Sequence, residues 1–162
     1  MKHLSTATVI GLLTLALPAF AGKPTITMTP AGPFTIPAGA GGCTFNVSVV
    51  PTPNRPNGEK EILFTNTAII SGPLFYTFTN VSDPAKTLTL NVSGPGIINF
   101  TDSTEILLGP SFYFGFPTNV TEAAGLPAVA LVTGRTILTF SSVGIVSISN
   151  VGTVQDICQA LT

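Results

Sequence analysis

The sequence predicts a mainly β protein: an antiparallel β-sandwich, or alternatively a β-barrel, with one short helix at the C-terminal end. Short runs in which apolar and polar residues alternate occur along the chain, and such alternation marks strands with one buried face. Glycine and proline separate the runs at intervals of roughly 8–12 residues, the turn spacing of sandwiches and barrels. No helical periodicity occurs before the last residues, so we expect a helix only there.

The first 21 residues are typical of a secretory signal peptide. A polar start precedes the apolar stretch 9–20, and Ala19-Phe20-Ala21 matches a cleavage motif. The apolar stretch is shorter than the roughly 20 residues that a membrane-spanning helix needs. We therefore expect cleavage after this motif, a single domain over residues 22–162 with no transmembrane segment, and a secreted, extracellular protein.

The strands follow from the alternating and apolar runs. In chain order they are expected over residues 25–29, 44–49, 61–65, 68–71, 74–79, 87–93, 97–100, 105–108, 128–133, 135–140 and 145–149. Residues 51–58 contain too many prolines to pair, so we expect a linker there, with a turn at Asn57-Gly58.

The last residues predict a short helix over residues 154–161. Apolar residues recur there with helical spacing, and Thr153 followed by Asp156 three residues later resembles a capping box. Cys158 would face the body of the protein from this helix.

Two cysteines, Cys43 and Cys158, are the only ones in the chain. In a secreted protein an isolated pair is most simply one disulfide; two free buried thiols are the alternative. A disulfide would close a loop of 115 residues, for which the chain-entropy model gives roughly 4–5 kcal/mol of stabilisation. A zinc site is disfavoured because the only histidine, His3, lies in the predicted signal peptide.

Five Asn-x-Ser/Thr sequons predict N-glycosylation, at Asn46, Asn80, Asn91, Asn99 and Asn119. Strand alternation places the asparagines at positions 46, 91 and 99 on polar faces, where glycans would point outward. The alternative is that strands rich in serine and threonine produce sequons by chance.

Composition excludes several function classes. Charged residues are 8% of the chain and the net charge is −1, so a nucleic-acid partner, which needs a basic surface, is excluded. No histidine outside the signal peptide is present to act as a base for a nucleophile. The glycine-rich segment 39–42 leads into a predicted strand rather than a helix, so it does not indicate a phosphate site. We predict no catalytic residue, no cofactor and no metal site.

A hydrolase that uses only carboxylates remains an alternative, because glycoside hydrolysis needs two of them. The pairs close in sequence are Glu59 with Glu61 and Asp102 with Glu105. The chain has no tryptophan and two tyrosines for stacking sugars, which disfavours this reading.

One segment concentrates aromatic side chains: Phe112, Tyr113, Phe114 and Phe116. In a strand, the three phenylalanines would share one face. They would form a core stripe, because phenylalanine is mostly buried, or alternatively a ligand or partner surface.

The chain ends in the segment Gly152-Thr153-Val154-Gln155-Asp156-Ile157-Cys158-Gln159-Ala160-Leu161. Together with the signal peptide, the strands rich in glycine and threonine and the early cysteine, this segment resembles small secreted proteins of unknown function from fungi and actinobacteria. The resemblance implies secretion and a β fold and carries no activity. We therefore expect a secreted, non-enzymatic structural or interaction glycoprotein that acts at the cell surface or on a host. Its expected partner is a cell-wall glycan or an extracellular protein. A small extracellular glycan- or lipid-binding module is the alternative from another class.

Overall fold

A computed structural model describes residues 23–39 and 42–162, and the predicted signal peptide lies outside these residues. They form short strands and two short helices. The strands are β1 (Thr25–Pro30), β2 (Phe34–Ile36), β3 (Val47–Pro51), β4 (Gly58–Leu63), β5 (Thr67–Ser71), β6 (Phe75–Asn80), β7 (Thr87–Asn91), β8 (Gly96–Asn99), β9 (Thr104–Leu108), β10 (Ser111–Tyr113), β11 (Ala130–Val132), β12 (Arg135–Ser141), β13 (Gly144–Val151) and β14 (Val154–Asp156). The helices are α1 (Thr118–Ala123) and α2 (Ile157–Ala160).

The strands form three antiparallel sheets. The largest has seven strands in the order β1-β4-β5-β8-β9-β12-β13, the second has four in the order β2-β3-β6-β7, and the third has three in the order β10-β11-β14. Within the described ranges, none of the sheets closes on itself. The predicted β-sandwich is therefore confirmed, and the barrel alternative is not.

The three-stranded sheet packs on both of its faces. One face contributes Phe112 and Leu131 to a cluster that contains Val47 and Phe78 of the four-stranded sheet. Successive residues of a strand point to opposite faces, so Tyr113 and its neighbours in β11 point the other way. The fold thus has a layer between its two larger sheets.

The second hydrophobic cluster joins this layer to the seven-stranded sheet. Tyr113 and Val132 of the three-stranded sheet pack there with Leu138 of β12 and Ile148 of β13. Val120 of α1 belongs to the same cluster, so α1 covers one end of it.

The C-terminal helix is shorter than predicted. Residues Val154–Asp156 form β14, which pairs with β11, and the helix begins only at Ile157. The Asp156 carboxylate accepts a hydrogen bond from the Gln159 backbone N–H at 3.0 Å, so Asp156 is the N-cap of α2. The expectation of a helix from residue 154 was wrong because the cap lies at Asp156 rather than at Thr153.

Cys43 and Cys158 form the predicted disulfide, with their Cα atoms 5.1 Å apart. The bond ties the segment before β3 to α2. Ile157 and Leu161, on either side of Cys158, are fully buried in the first cluster. The disulfide and these two side chains together fix the end of the chain against the four-stranded sheet.

The proline-rich linker is shorter than expected because β3 extends to Pro51 and β4 begins at Gly58. The chain turns at Pro53-Asn54, where Asn54 has φ +59°, a conformation that asparagine tolerates better than most residues. Asn57 instead accepts a hydrogen bond from the Phe75 N–H at 2.6 Å. The predicted Asn57-Gly58 turn was therefore wrong.

The sequence pattern predicts neither β2 nor α1. A strand of three residues is too short to show alternation, and α1 has six residues of which only Val120 and Thr121 are buried. Pro117 stands at the N-cap of α1 in an extended conformation and makes no side-chain cap hydrogen bond, so no capping motif in the sequence marks this helix.

Candidate functional site

A cavity of about 260 Å³ lies where the three sheets meet. Its size is near the lower end of small-molecule sites, and every sheet contributes to its wall. The lining residues are Phe34, Glu59, Ile70, Leu74, Tyr76, Val92, Gly94, Gly96, Glu105, Leu107, Ser111 and Phe112.

Aromatic rings form one wall of the cavity. Phe34 meets Tyr76 edge-on, with ring centroids 5.8 Å apart. The Phe112 ring packs edge-on against Phe78 at 4.9 Å. Phe114 stacks on both Phe34, at 5.2 Å, and Phe112, at 5.4 Å, and so links the two parts of the wall. The wall is held rigidly because each ring is packed against another.

The predicted aromatic segment divides between two places. Phe112 lines the cavity, and Phe114, which is 39% exposed, stacks on Phe112. Phe116 does not share their face; it stacks on Tyr113 at 4.9 Å in the second hydrophobic cluster. Gly115 has φ +72°, which turns the chain after Phe114 and ends the strand pattern. The segment therefore contributes both to the core and to the cavity wall.

Tyr113 serves the core and not the cavity. Its hydroxyl donates a hydrogen bond to the Pro127 carbonyl at 2.8 Å. Burial raises the pKa of Tyr113, and the negative charge of Asp156 adds a smaller increase, to about 12 in total. This hydroxyl therefore stays protonated across the physiological range.

Glu105 points into the cavity from β9. The register pairs Gly96 of β8 with Leu107 of β9. Glu105 lies two residues before Leu107 on β9, so its side chain points to the same face of the sheet. A Cβ added to Gly96 would lie 3.1 Å from Glu105 Oε1, so the carboxylate occupies space that a side chain on β8 would fill. Burial raises the pKa of the Glu105 carboxyl above its ordinary value.

Glu59 and Tyr76 add further polar groups to the lining. Glu59, at the start of β4, is exposed, so it lies where the cavity meets solvent. Burial raises the pKa of the Tyr76 phenol, and the negative charge of Glu59 adds to this effect. The Glu59 carboxylate is thus near enough to the Tyr76 hydroxyl for their charges to interact.

Ser111 is the one buried side chain of the described residues whose polar atom has no hydrogen-bond partner. It is 5% exposed and lines the cavity. Its Oγ lies against Gly94, where an added Cβ would be in contact with it. A buried hydroxyl without a partner is costly, and such groups often indicate a missing ligand or water.

Two acids that the sequence did not pair, Glu59 and Glu105, line the same cavity. Glu59 and Glu61 share one face of β4, but only Glu59 lines the cavity. Asp102 accepts a hydrogen bond from Asn99 Nδ2 at 2.7 Å in the exposed β8–β9 turn, whereas its predicted partner Glu105 lines the cavity. Local sequence spacing could not show that Glu59 and Glu105 share a cavity, because β5 and β8 lie between their strands.

Four of the sequon asparagines are at least partly accessible, and one is not. Asn46, Asn91 and Asn119 are exposed, and Asn99 is half-buried in its turn. Asn80 is 6% exposed, and its amide nitrogen donates a hydrogen bond to the Leu161 carbonyl at 3.1 Å. A glycan on that nitrogen would prevent this packing, so the folded protein has no room for modification at Asn80.

A row of isoleucines crosses the outer face of the seven-stranded sheet. The pairing register aligns residues of six neighbouring strands, and none of them belongs to either hydrophobic cluster. Strands lie about 4.8 Å apart, so this isoleucine row is about 24 Å long. It consists of Ile26, Ile62, Ile69, Ile97, Ile106 and Ile137.

Neither a metal cluster nor a membrane span is found in the described part of the chain. No three histidine, cysteine or acidic side chains among residues 23–39 and 42–162 are grouped to hold a metal ion. No helix in these ranges is both long enough and apolar enough to cross a membrane. No protein-family model, curated protein or solved structure matches the chain.

Proposed function

We propose that the protein is a small extracellular binding module, without enzymatic activity, that holds a small ligand in the cavity between its sheets. The observation that carries this proposal is the cavity, which combines a rigid aromatic wall with a few polar groups. That combination is typical of ligand sites. The disulfide and the accessible sequons support an extracellular, glycosylated protein.

A nuclear magnetic resonance titration tests the binding role. Glucose, choline and hexanoate, which represent neutral, cationic and anionic ligands, are added separately to ¹⁵N-labelled protein. We expect at least one of them to shift the amides of cavity residues, and Gly96→Ala to weaken that shift by placing a methyl group beside Glu105. Gly32→Ala is the matched control, because an added Cβ there contacts nothing within 4 Å. If none of the three probes shifts the cavity amides, the binding role is wrong.

The same variants test the carboxylate hydrolase. Glu105, with its raised pKa, resembles a general acid, but Glu59 lies three strand spacings away, farther than the second carboxylate of a glycosidase. Incubation with 4-nitrophenyl glycosides is expected to release no nitrophenol. Release that disappears in Glu105→Gln, and persists in Glu122→Gln on exposed α1, would replace the binding module with a hydrolase.

The isoleucine row favours a second function, that of a self-associating structural protein whose partner is a second copy of this chain. A polar row of hydroxyl and amide side chains lies on one side of it, and the dimer requires that Asn99 in this row carries no glycan. The row consists of Thr67, Asn99, Thr104, Thr139 and Ser147. Lys60 and Arg135 lie on the other side. A two-fold axis parallel to the row places these cations opposite the partner's polar row, so like charges do not meet.

The area of the contact predicts weak association. A face about 24 Å wide and five residues long presents roughly 400 Å² per copy, about half of what each partner buries in a standard specific interface. Sedimentation velocity is expected to show a reversible dimer at high concentration. Ile97→Lys at the centre of the row should abolish it, while Val143→Lys, in the exposed β12–β13 turn, should not. A wild-type protein that stays monomeric at millimolar concentration excludes this function.

A further inference from the structure

The charges of the cavity indicate the chemistry of its ligand; this inference rests on the binding role proposed above. Two of the lining residues, Glu59 and Glu105, are carboxylates, and none is a lysine or an arginine. In the described part of the chain, neither carboxylate forms a salt bridge or a side-chain hydrogen bond. Carboxylates that line a cavity without a counter-charge favour a cation from outside the protein.

We propose that the cavity binds a small organic cation, whose ammonium group is held by the carboxylate of Glu105 and by the aromatic wall, while Glu59 lies at the mouth of the cavity about 14 Å away across the sheet. A positive charge over the face of an aromatic ring is attracted by the ring's quadrupole, and aromatic cages recognise ammonium ions in this way. Phe34, Tyr76 and Phe112 supply such rings in the lining. The Glu105 carboxylate gives the charge match, and the rings give the shape of the site.

Ser111 is the polar residue of the lining whose side-chain oxygen a ligand does not reach. Its hydroxyl is buried in the cavity wall without a hydrogen-bond partner in the described residues. The oxygen of a hydroxyl accepts hydrogen bonds and its proton donates one. This oxygen is enclosed by the wall, so it makes no direct contact with a ligand in the cavity.

Other ligand classes fit the cavity less well. An anionic ligand such as a fatty acid would meet two carboxylates and would be repelled by them. A neutral sugar would leave both acids without a counter-charge. Only Glu59, Tyr76, Glu105 and Ser111 have polar side-chain atoms in the lining, and it holds no amide or basic side chain.

The pH dependence follows from the buried acid. Burial raises the pKa of Glu105, so this carboxyl takes up a proton before an ordinary glutamate does when the pH is lowered. Glu59 on β4 and Tyr76 on β6 are the titratable groups that share the lining with it, and Glu61 follows Glu59 on the same face of β4. Binding of a cation with a fixed charge is expected to weaken as the pH falls, because the protonated carboxyl no longer attracts it.

Three probes test the charge of the ligand: choline, its neutral isostere 3,3-dimethylbutan-1-ol, and 1,4-diaminobutane. Affinities are measured by calorimetry at pH 7.5 and low salt. We expect choline or the diamine to bind at the cavity roughly tenfold or more tightly than the neutral isostere, the effect of one charge-assisted contact. Glu105→Gln keeps the size of the side chain and should remove this advantage, whereas the control Glu122→Gln should keep it.

The outcomes separate this inference from the binding role. Tighter binding of choline than of the diamine identifies a quaternary ammonium ligand, and the reverse identifies a primary amine; either supports the proposal. Equal binding of choline and its neutral isostere overturns it and leaves the binding role intact. Binding of neither cation, together with cavity shifts from glucose or hexanoate, also overturns only the cationic ligand. Absence of any cavity shift overturns both.

Discussion

Glu105 shows how one small residue on a neighbouring strand can create a polar position on an inner sheet face. The same face carries Ala68, Leu138 and Ile148, which are buried apolar residues. A carboxylate there loses hydration, and this cost is reflected in its raised pKa. Gly96 leaves the space that the carboxylate occupies. Such a residue stabilises nothing by itself, which is consistent with a role in binding.

The buried acid predicts a pH-dependent gain in stability for Glu105→Gln. The ordinary pKa of 4.5 describes the unfolded chain, and the folded value is higher. Between the two values the folded state binds more protons, so wild-type stability falls as the pH rises through this window. Glutamine does not titrate, so the variant should exceed the wild type at pH 7 by more than at pH 4, as measured by urea unfolding.

Glu122→Gln serves as the control for this measurement, because Glu122 is exposed on α1. It makes the same substitution on the surface, so a pH-dependent difference seen only in Glu105→Gln belongs to the buried position. An equal difference for Glu105→Gln at pH 4 and pH 7 would show that Glu105 is not desolvated in the folded protein.

Asn80 is a second position where burial decides the role of a residue. Its amide nitrogen donates to the Leu161 carbonyl, and its oxygen accepts from the Ser82 N–H at 2.9 Å. Asn80→Ala should destabilise the protein by about 1–3 kcal/mol, because it leaves the Leu161 carbonyl unpaired in a buried place. Asn119→Ala, at an exposed position of another sequon, should change the free energy of unfolding by less than about 0.5 kcal/mol.

Glycan mapping of protein expressed in a eukaryotic host checks the same point by a second route. Peptides that contain Asn80 should carry no glycan, while glycans occur among the accessible sequons. A native, fully folded protein with a glycan at Asn80 would contradict the burial of its amide.

Among the elements, sequence alternation predicted strands well where one face is buried and the other is not. β6 is the clearest case, since Tyr76, Phe78 and Asn80 are buried and the residues between them are half-buried. Alternation failed where a single residue redirects the chain. Asp156 caps α2, so residues 154–156, which were expected to form the first turn of the helix, form β14 instead. Gly115 has a positive φ, and after it Phe116 packs in the second cluster rather than beside Phe114. These effects depend on tertiary pairing with β11 and Tyr113, which local patterns do not contain.

β1 is expected to be the least protected strand. It lies at the edge of the seven-stranded sheet, pairs only with β4, and all six of its residues are exposed. Met28, for example, is 67% exposed. Strands with few buried contacts open locally at low free-energy cost. Hydrogen exchange should therefore be fastest in β1 and slowest in β3 and β6, which carry the fully buried Val47, Val49 and Phe78.

Protection of β1 equal to that of β3 in dilute protein would contradict this expectation. It would mean that the edge is covered. Repeating the exchange at high protein concentration tests whether self-association protects β1. Association through the isoleucine row, which includes Ile26, should protect β1 only at high concentration.

At the scale of the whole molecule, the cavity could not be predicted because its wall comes from distant parts of the chain. Phe34 and Phe112 face each other only through the packing of different sheets, and Phe114 bridges them. The sequence did predict the sandwich, the disulfide and the unusual character of the aromatic segment. It did not predict which of seven acids enter the interior, because strand order sets that.

The disulfide is expected to contribute strongly to stability by cross-linking the chain, in addition to the packing of Cys43, which is buried in the first cluster. It closes a loop of 115 residues, so replacing Cys43 and Cys158 together by alanine should cost about 4–5 kcal/mol in the chain-entropy model. Urea unfolding measures this loss. Leu161→Ala in the disulfide-bonded protein provides the comparison, since it removes buried packing of the same C-terminal segment and should cost about 2–5 kcal/mol.

The pair of variants separates two origins of the stabilisation. If the cross-link acts by restricting the unfolded chain, the double alanine variant keeps the native hydrogen-exchange pattern at α2 and loses only global stability. If it acts by holding α2 in place, exchange at residues 157–162 accelerates far more than elsewhere. Since Ile157 and Leu161 are fully buried in the first cluster and Asp156 caps the helix, we expect α2 to stay docked and the loss to be global. A loss under about 1 kcal/mol would contradict the chain-entropy argument itself.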